Sequence, residues 1–220
     1  MSNTLLKYCG NKTLLDYQIS LQSNADYIGF VFAASKRRVC PVNASNWVEM
    51  NPPGKKKLVG VFVNQPIEEM IDTAQRVGLD VIQCHGDENV DFMRRLRSRF
   101  TGEIWKVIHH KNEDSVYSLV AFQGLITAVI VDKKIGNQYG GTGTSFDWSY
   151  IPAYLKVSKS LGIPCIIAGG VNDETINELL FFQPDGVDIS TGIESNFRKD
   201  KRKMTLIESM VKNHGKQRTS

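Results

Sequence analysis

Between residues 163 and 194 the chain writes one pattern twice. A short apolar run over residues 165–168 ends at Gly169-Gly170, and about twenty residues later a second, over residues 186–189, ends at Ser190-Thr191-Gly192. Runs this short and this apolar read as strands buried on both faces, as in a parallel sheet. Small residues where such a strand stops let backbone N–H groups approach an anion closely, and a helix-like segment that follows turns its positive end toward it. Either ending alone also reads as an ordinary turn. Two of them side by side point to a phosphate.

The rest of the chain repeats the same unit. Strand-like runs cover residues 5–9, 25–32, 57–63, 79–84, 104–108 and 126–131 before the two already described. Between and after them come helix-like segments at 14–21, 44–50, 67–77, 90–99, 114–122, 148–161, beyond Gly170, and at 201–211. Strands alternating with helices imply a parallel sheet. Eight such units predict an α/β fold, a single closed (β/α)8 TIM barrel with eight parallel strands over residues 1–211, followed by a polar, frayed tail over 212–220. In such barrels the common phosphate site lies after the last two strands, where the doubled pattern falls. An open Rossmann-like sheet is the alternative, but no Gly-x-Gly-x-x-Gly follows the first strand.

Composition excludes several classes of function. With 41% hydrophobic and 23% charged residues the chain can build a sizeable core. The formal charge of +4 is modest. Its basic clusters, at 36–38, 55–57 and 198–203, are dispersed and lack interleaved aromatics, so they read mainly as solvated surface and give no support to a nucleic-acid partner. There is no secretory leader pattern and no apolar run long enough to span a membrane. Cys9, Cys40, Cys84 and Cys165 form no Cys-x-x-Cys pair and show no zinc spacing, so a reducing, cytoplasmic location with free thiols is expected.

A barrel works at the ends of its strands, where Cys9, Asn64, Gln83, His85, Asp132, Asp188 and Ser190 stand. Strand alternation points Lys7 and Cys9 inward and Tyr8 outward, Gln83 and His85 inward and Cys84 outward. Cys9 is either a base or nucleophile, its thiolate favoured by the Lys7 ammonium, or a small buried hydrophobe. Asp132 either caps a turn or transfers protons, since an unpaired buried carboxylate is costly. His85 either orients a substrate or bonds within the turn of residues 86–88, the second being the simpler. No serine sits in a Gly-x-Ser-x-Gly elbow, and His85, Asp87 and Glu88 have no further partner at metal-ligand spacing. His109-His110 reads as surface.

Taken together, Lys7-Tyr8-Cys9-Gly10, Ser35-Lys36-Arg37-Arg38-Val39, Gln83-Cys84-His85-Gly86-Asp87-Glu88, Gly140-Gly141-Thr142-Gly143, Phe146-Asp147-Trp148, Ala168-Gly169-Gly170 and the run from Asp188 to Glu194 resemble the phosphoribosylanthranilate isomerase family, in family order and over nearly the whole chain. The resemblance implies a barrel that carries out an Amadori rearrangement in tryptophan biosynthesis, on a small phosphoribosyl substrate, without cofactor or metal, as a monomer or homodimer. It implies Cys9 as general base, Asp132 as general acid and Arg37 as the partner of the anthranilate carboxylate, with His85 among the substrate-binding residues. The phosphate falls to backbone groups around Gly141, Gly143, Gly169, Gly170, Ser190, Thr191 and Gly192. Other readings in the same fold are a histidine-pathway phosphoribosyl isomerase, which relies on paired aspartates, and a non-catalytic phosphosugar-binding barrel. A cysteine hydrolase built on Cys9 and His85 lacks an oxyanion hole near Cys9.

Overall fold

Eight parallel strands close on themselves in chain order: β1 (Leu5–Tyr8), β2 (Tyr27–Val31), β3 (Lys57–Phe62), β4 (Val81–Cys84), β5 (Glu103–His109), β6 (Ala128–Asp132), β7 (Cys165–Ile167) and β8 (Gly186–Ile189), with β8 paired back onto β1. The computed structural model describes residues 4–135, 138–139 and 145–217. Helices α1 (Leu14–Leu21), α2 (Pro41–Met50), α3 (Ile67–Val77), α4 (Val90–Arg97), α5 (Asp114–Tyr117), α6 (Ile151–Ser160), α7 (Ile176–Phe181) and α8 (Lys201–Gln217) follow the strands in turn. The alternating pattern of the sequence is therefore that of a (β/α)8 barrel.

Alternation along each strand divides the core in two. Tyr27, Val81, Trp105, Val107, Ile130 and Ile166 fill the barrel interior. Their chain neighbours Ile28, Ile82, Ile104, Ile108, Val129 and Ile167 join the larger cluster beneath the helices. The outward Tyr8 reaches α8, its hydroxyl 3.3 Å from Met204 O. Helix starts are chemically marked: the Thr13 hydroxyl accepts from Asp16 N before α1, and Asn89 Oδ1 accepts from Phe92 N before α4. Helix α3 ends on Gly78 at φ 73°, a left-handed position that glycine adopts without strain.

An aspartate clamp recurs at the bottom of the barrel. Asp26, Asp80 and Asp185 each donate a backbone N–H to the carbonyl of Leu6, Leu58 and Cys165 respectively, at 2.8, 3.0 and 3.1 Å. The side chain of each accepts from the N–H of that same residue, at 2.9, 2.8 and 2.9 Å. Each clamp fixes the register of two strands where pairing begins, far from the working end.

Two elements differ from the sequence pattern. The segment after β5 is one α-turn, Asp114–Tyr117, continued as a 3₁₀ turn over Ser118–Phe122, whose buried residues Val116, Leu119 and Phe122 recur every third position, the 3₁₀ period. Helix α8 runs to Gln217 rather than stopping near Val211, and so takes up most of the expected tail. Met204 and Ile207 anchor it, and no proline interrupts its polar continuation.

Trp105 is the largest fully buried side chain; it meets Tyr27 edge-on at 4.7 Å and donates to Glu103 Oε2 at 3.0 Å. Trp105→Ala should lower the unfolding free energy by about 3–5 kcal/mol in urea titrations, as expected for removing an interior indole.

Candidate active site

The C-terminal ends of the strands open onto a cavity of about 850 Å³, lined by residues of β1–β4 and β6–β8 and the segments that follow them. Cys9, Arg37, His85, Asp132, Gly169, Gly170, Ser190, Thr191 and Gly192 all line it. Gly141 and Gly143 lie outside the described residues. Arg38 is exposed and is not among the lining residues, so of the two adjacent arginines it is Arg37 that enters the cavity.

Cys9 sits at the seam where β1 meets β8. Its N–H donates to Ile189 O at 2.9 Å, and Gly29 leaves it room, since a Cβ there would lie 2.9 Å from Cys9 Sγ. One turn of the pleat below, Lys7 and Asp188 are directly paired across the seam, with Nζ–Oδ2 at 2.8 Å and both side chains buried. Burial works against the Lys7 ammonium, but Asp188 and Cys9 together outweigh it and hold Lys7 above its ordinary range. Burial pushes the Cys9 thiol up; Lys7 pulls it down, Asp188 pushes it up again, and the balance is upward. Burial is the largest of these influences, so the pull of the Lys7 ammonium toward the thiolate is present but outweighed.

Asp132 ends β6 and is buried, with Oδ1 accepting from Lys133 N at 2.7 Å. His85 Nε2 stands 3.5 Å from Asp132 Oδ2, and Gln83 Nε2 meets His85 Nδ1 at 2.9 Å. With the amide nitrogen as donor, Nδ1 accepts, and Nε2 faces the carboxylate. His85 therefore turns into the cavity rather than into the turn after it. That turn is held by Glu88, whose Oε1 accepts from Asn64 N and Gly86 N while Oε2 takes the buried Lys106 ammonium at 2.8 Å.

His109 and His110 are half-buried, not surface. His109 Nε2 donates to His85 O at 2.9 Å, directly beside Asp132 in the β5–β6 register. His110 stacks among Phe146, Tyr150 and Tyr154.

The two glycine-bearing endings meet as the sequence suggested. Gly169 and Gly170 have φ of 81° and 70°, conformations that side chains rarely adopt. Gly192 lies so close to the other loop that a Cβ would come within 2.0 Å of Val171 O. A 3₁₀ turn, Thr191–Ile193, starts at once after Ser190. Strand ends of this form, adjacent at β7 and β8, have the backbone geometry that suits an anion.

Arg37 crosses Gly10, where a Cβ would meet Arg37 Cδ at 2.5 Å, and forms a two-pronged ion pair with Glu194: Nε–Oε1 at 2.9 Å and Nη2–Oε2 at 2.7 Å. Glu194 also meets the buried Lys199 ammonium at 3.0 Å. Sequence reasoning assigned no role to Glu194, Lys199, Lys106 or Glu88. Lys199 in particular belongs to a basic cluster read as solvated, and its partners are the Glu194 carboxylate and the carbonyls of Cys9 and Ser190. Among the described residues no group of three or more His, Cys, Asp or Glu side chains is placed to hold a metal ion.

A family model described as N-(5'-phosphoribosyl)anthranilate (PRA) isomerase matches residues 6–211. A curated N-(5'-phosphoribosyl)anthranilate isomerase of Halalkalibacterium halodurans is 44% identical over 207 residues, 94% of each chain. The crystal structure of the phosphoribosyl anthranilate isomerase of Thermotoga maritima is similar with a TM-score of 0.81 and 29% identity, covering 96% of this chain and 99% of that one. A phosphoribosyl anthranilate isomerase in complex with reduced 1-(o-carboxyphenylamino)-1-deoxyribulose 5-phosphate is similar with a TM-score of 0.79 and 27% identity, covering 96% and 99%.

Burial and the neighbouring His85 ring lower His109 from the ordinary 6.5 to about 4. A base depressed on folding stabilises the fold above its unfolded value and loses that contribution as pH falls, here between 6.5 and about 4. Unfolding free energies measured across that window should fall more steeply for the natural protein than for His109→Asn.

Proposed function

The chain belongs to the N-(5'-phosphoribosyl)anthranilate isomerase family, and we propose that Cys9 and Asp132 divide between them the proton transfers of that family's reaction. The protein isomerises N-(5-phosphoribosyl)anthranilate to 1-(2-carboxyphenylamino)-1-deoxyribulose 5-phosphate in tryptophan biosynthesis. The observation that carries the assignment is topological. Cys9 and Asp132 close β1 and β6, and the two strands between them, β7 and β8, end in the phosphate cradle. A sugar held there by its phosphate has an acid on one flank and a thiol on the other.

Asp132 donates a proton to the furanose oxygen as the C1–O bond breaks, and the anthranilate nitrogen supplies the electron pair for C1=N. The iminium so formed acidifies the C2 hydrogen, which Cys9 removes as thiolate. The electrons of that bond form C1=C2 and neutralise the nitrogen, and proton return to C1 with loss of the C2 hydroxyl proton gives the ketone. Hydrogen moves from C2 to C1, and nothing is consumed. The raised thiol first gives its proton to solvent, a loss that the developing cation and the Lys7 ammonium favour, and only then accepts the C2 hydrogen.

The phosphate is assigned to the backbone around Gly169, Gly170, Ser190, Thr191 and Gly192, and the anthranilate carboxylate to Arg37, whose planar donors suit it. Asp188 Oδ1, Gln83 Oε1 and His85 Nε2 are buried without a hydrogen-bond partner among the described residues. Sugar hydroxyls satisfy such atoms. A cytoplasmic location fits the four free cysteines.

The test follows the fluorescence of N-(5-phosphoribosyl)anthranilate with purified protein. Cys9→Ala and Asp132→Ala should each cut kcat at least ~10²–10⁴-fold, the usual worth of a positioned acid or base, with unchanged thermal melts. Substantial turnover in either would refute its role. Arg37→Ala should raise KM by about tenfold or more, the loss of one charge-assisted contact, while Arg38→Ala leaves it near the natural value. Equal effects would move the carboxylate to Arg38.

A further inference from the structure

Arg37 arrives in the cavity already engaged. Glu194 takes both its Nε and Nη2, and the same carboxylate receives Lys199 Nζ on Oε1, the oxygen that also accepts from Arg37 Nε. Lys199 is itself fixed: its Nζ donates to Cys9 O at 2.6 Å and Ser190 O at 3.3 Å, the ends of β1 and β8, and its backbone N donates to Asp16 Oδ1 at 3.0 Å. A hairpin produces this arrangement. Glu194–Ser195 and Arg198–Lys199 form a two-residue antiparallel ladder with Glu194 directly opposite Lys199. The turn between them holds Asn196 and Phe197 at φ 49° and 59°, left-handed positions that a Phe rarely occupies. Lys203 Nζ ties the Glu194 carbonyl at 3.0 Å.

Charge decides what such a cluster can do. An arginine matched by one carboxylate is neutral overall and attracts a second carboxylate weakly; with Lys199 the group carries one net positive charge. The side of the guanidinium bearing Nε and Nη2 faces Glu194, Nη2 also donates to Thr191 Oγ1 at 3.3 Å, and Nη1 makes no hydrogen bond among the described residues. Burial alone would raise the Glu194 carboxyl, but Arg37 and Lys199 hold it below the usual range, so it stays an anion.

We propose that Glu194, backed by Lys199, is the positioning residue that fixes the Arg37 guanidinium plane for the substrate's aromatic carboxylate, and that Lys199 restores the positive charge Glu194 takes away. The inference rests on the assignment of that carboxylate to Arg37. The competing view is that Glu194 occupies Arg37 and weakens substrate binding, in which case its removal tightens it.

Calorimetric titration with two ligands separates these. One is reduced 1-(o-carboxyphenylamino)-1-deoxyribulose 5-phosphate; the other is its counterpart made from aniline, which lacks the carboxylate. The ratio of their affinities isolates carboxylate recognition, and a loss of folded protein cancels from it. Glu194→Gln should shrink the natural protein's preference for the carboxylated ligand by about tenfold or more, the scale of one charge-assisted hydrogen bond, with the aniline ligand changed less than about twofold. Should Glu194→Gln not fold, Glu194→Asp keeps the charge beside Lys199, shortens the reach and carries the same comparison. An unchanged or enlarged preference in the folded variant overturns the proposal. Arg37→Ala run alongside tests the underlying assignment: if it leaves the preference intact, the carboxylate binds elsewhere, whereas if it abolishes the preference and the Glu194 variants do not reduce it, only the positioning role falls.

Discussion

Closing an eight-stranded sheet requires the first strand to find the last, and in this chain that seam is held by charge. Lys7 and Asp188 are buried partners at paired positions of β1 and β8. Breaking a buried ion pair by removing one partner typically costs about 3–5 kcal/mol, because the other charge is left uncompensated, so neither residue is free to vary alone. Two residues farther along the strands, Lys199 bridges the carbonyls of Cys9 and Ser190. The same seam that shuts the barrel therefore fixes the distance between the thiol and the anion cradle. Structure and chemistry share one set of contacts.

That sharing explains the state of Cys9. Burial raises the thiol more than Lys7, itself paired with Asp188, lowers it. For a base this is an arrangement suited to timing. The iminium of the reacting sugar brings its own positive charge, so proton abstraction is favoured after ring opening and not before. As the proposed acid, Asp132 faces the opposite demand, and its neighbours differ accordingly: His85, bonded to Gln83, and His109, lowered by burial.

The periodic parts of this account were legible in the sequence. Helices 14–21 and 67–77 coincide with the observed α1 and α3, and the inward and outward faces of β1 and β4 follow from alternation alone. The doubled strand ending located the adjacent ends of β7 and β8, whose glycines meet in the structure. What alternation could not supply was which charges neutralise one another. Glu194 and Lys199 are joined by a hairpin whose turn, Asn-Phe, lacks the glycine that would have announced it. Glu88 and Lys106 come from different strand–helix units, and His109 is covered by His85 from the neighbouring strand. Such contacts are set by the closure of the barrel, which no window of sequence contains.

The central claim, that Cys9 removes the C2 hydrogen, is tested most directly with substrate carrying deuterium at C2, followed in a single turnover so that product release does not mask chemistry. The account predicts a primary isotope effect in the natural protein with the label passing from C2, and retention of the label by the Cys9→Ala protein even where the ring has opened. Loss of the label from the Cys9→Ala protein at the natural rate would place the base elsewhere in the cavity and contradict the account.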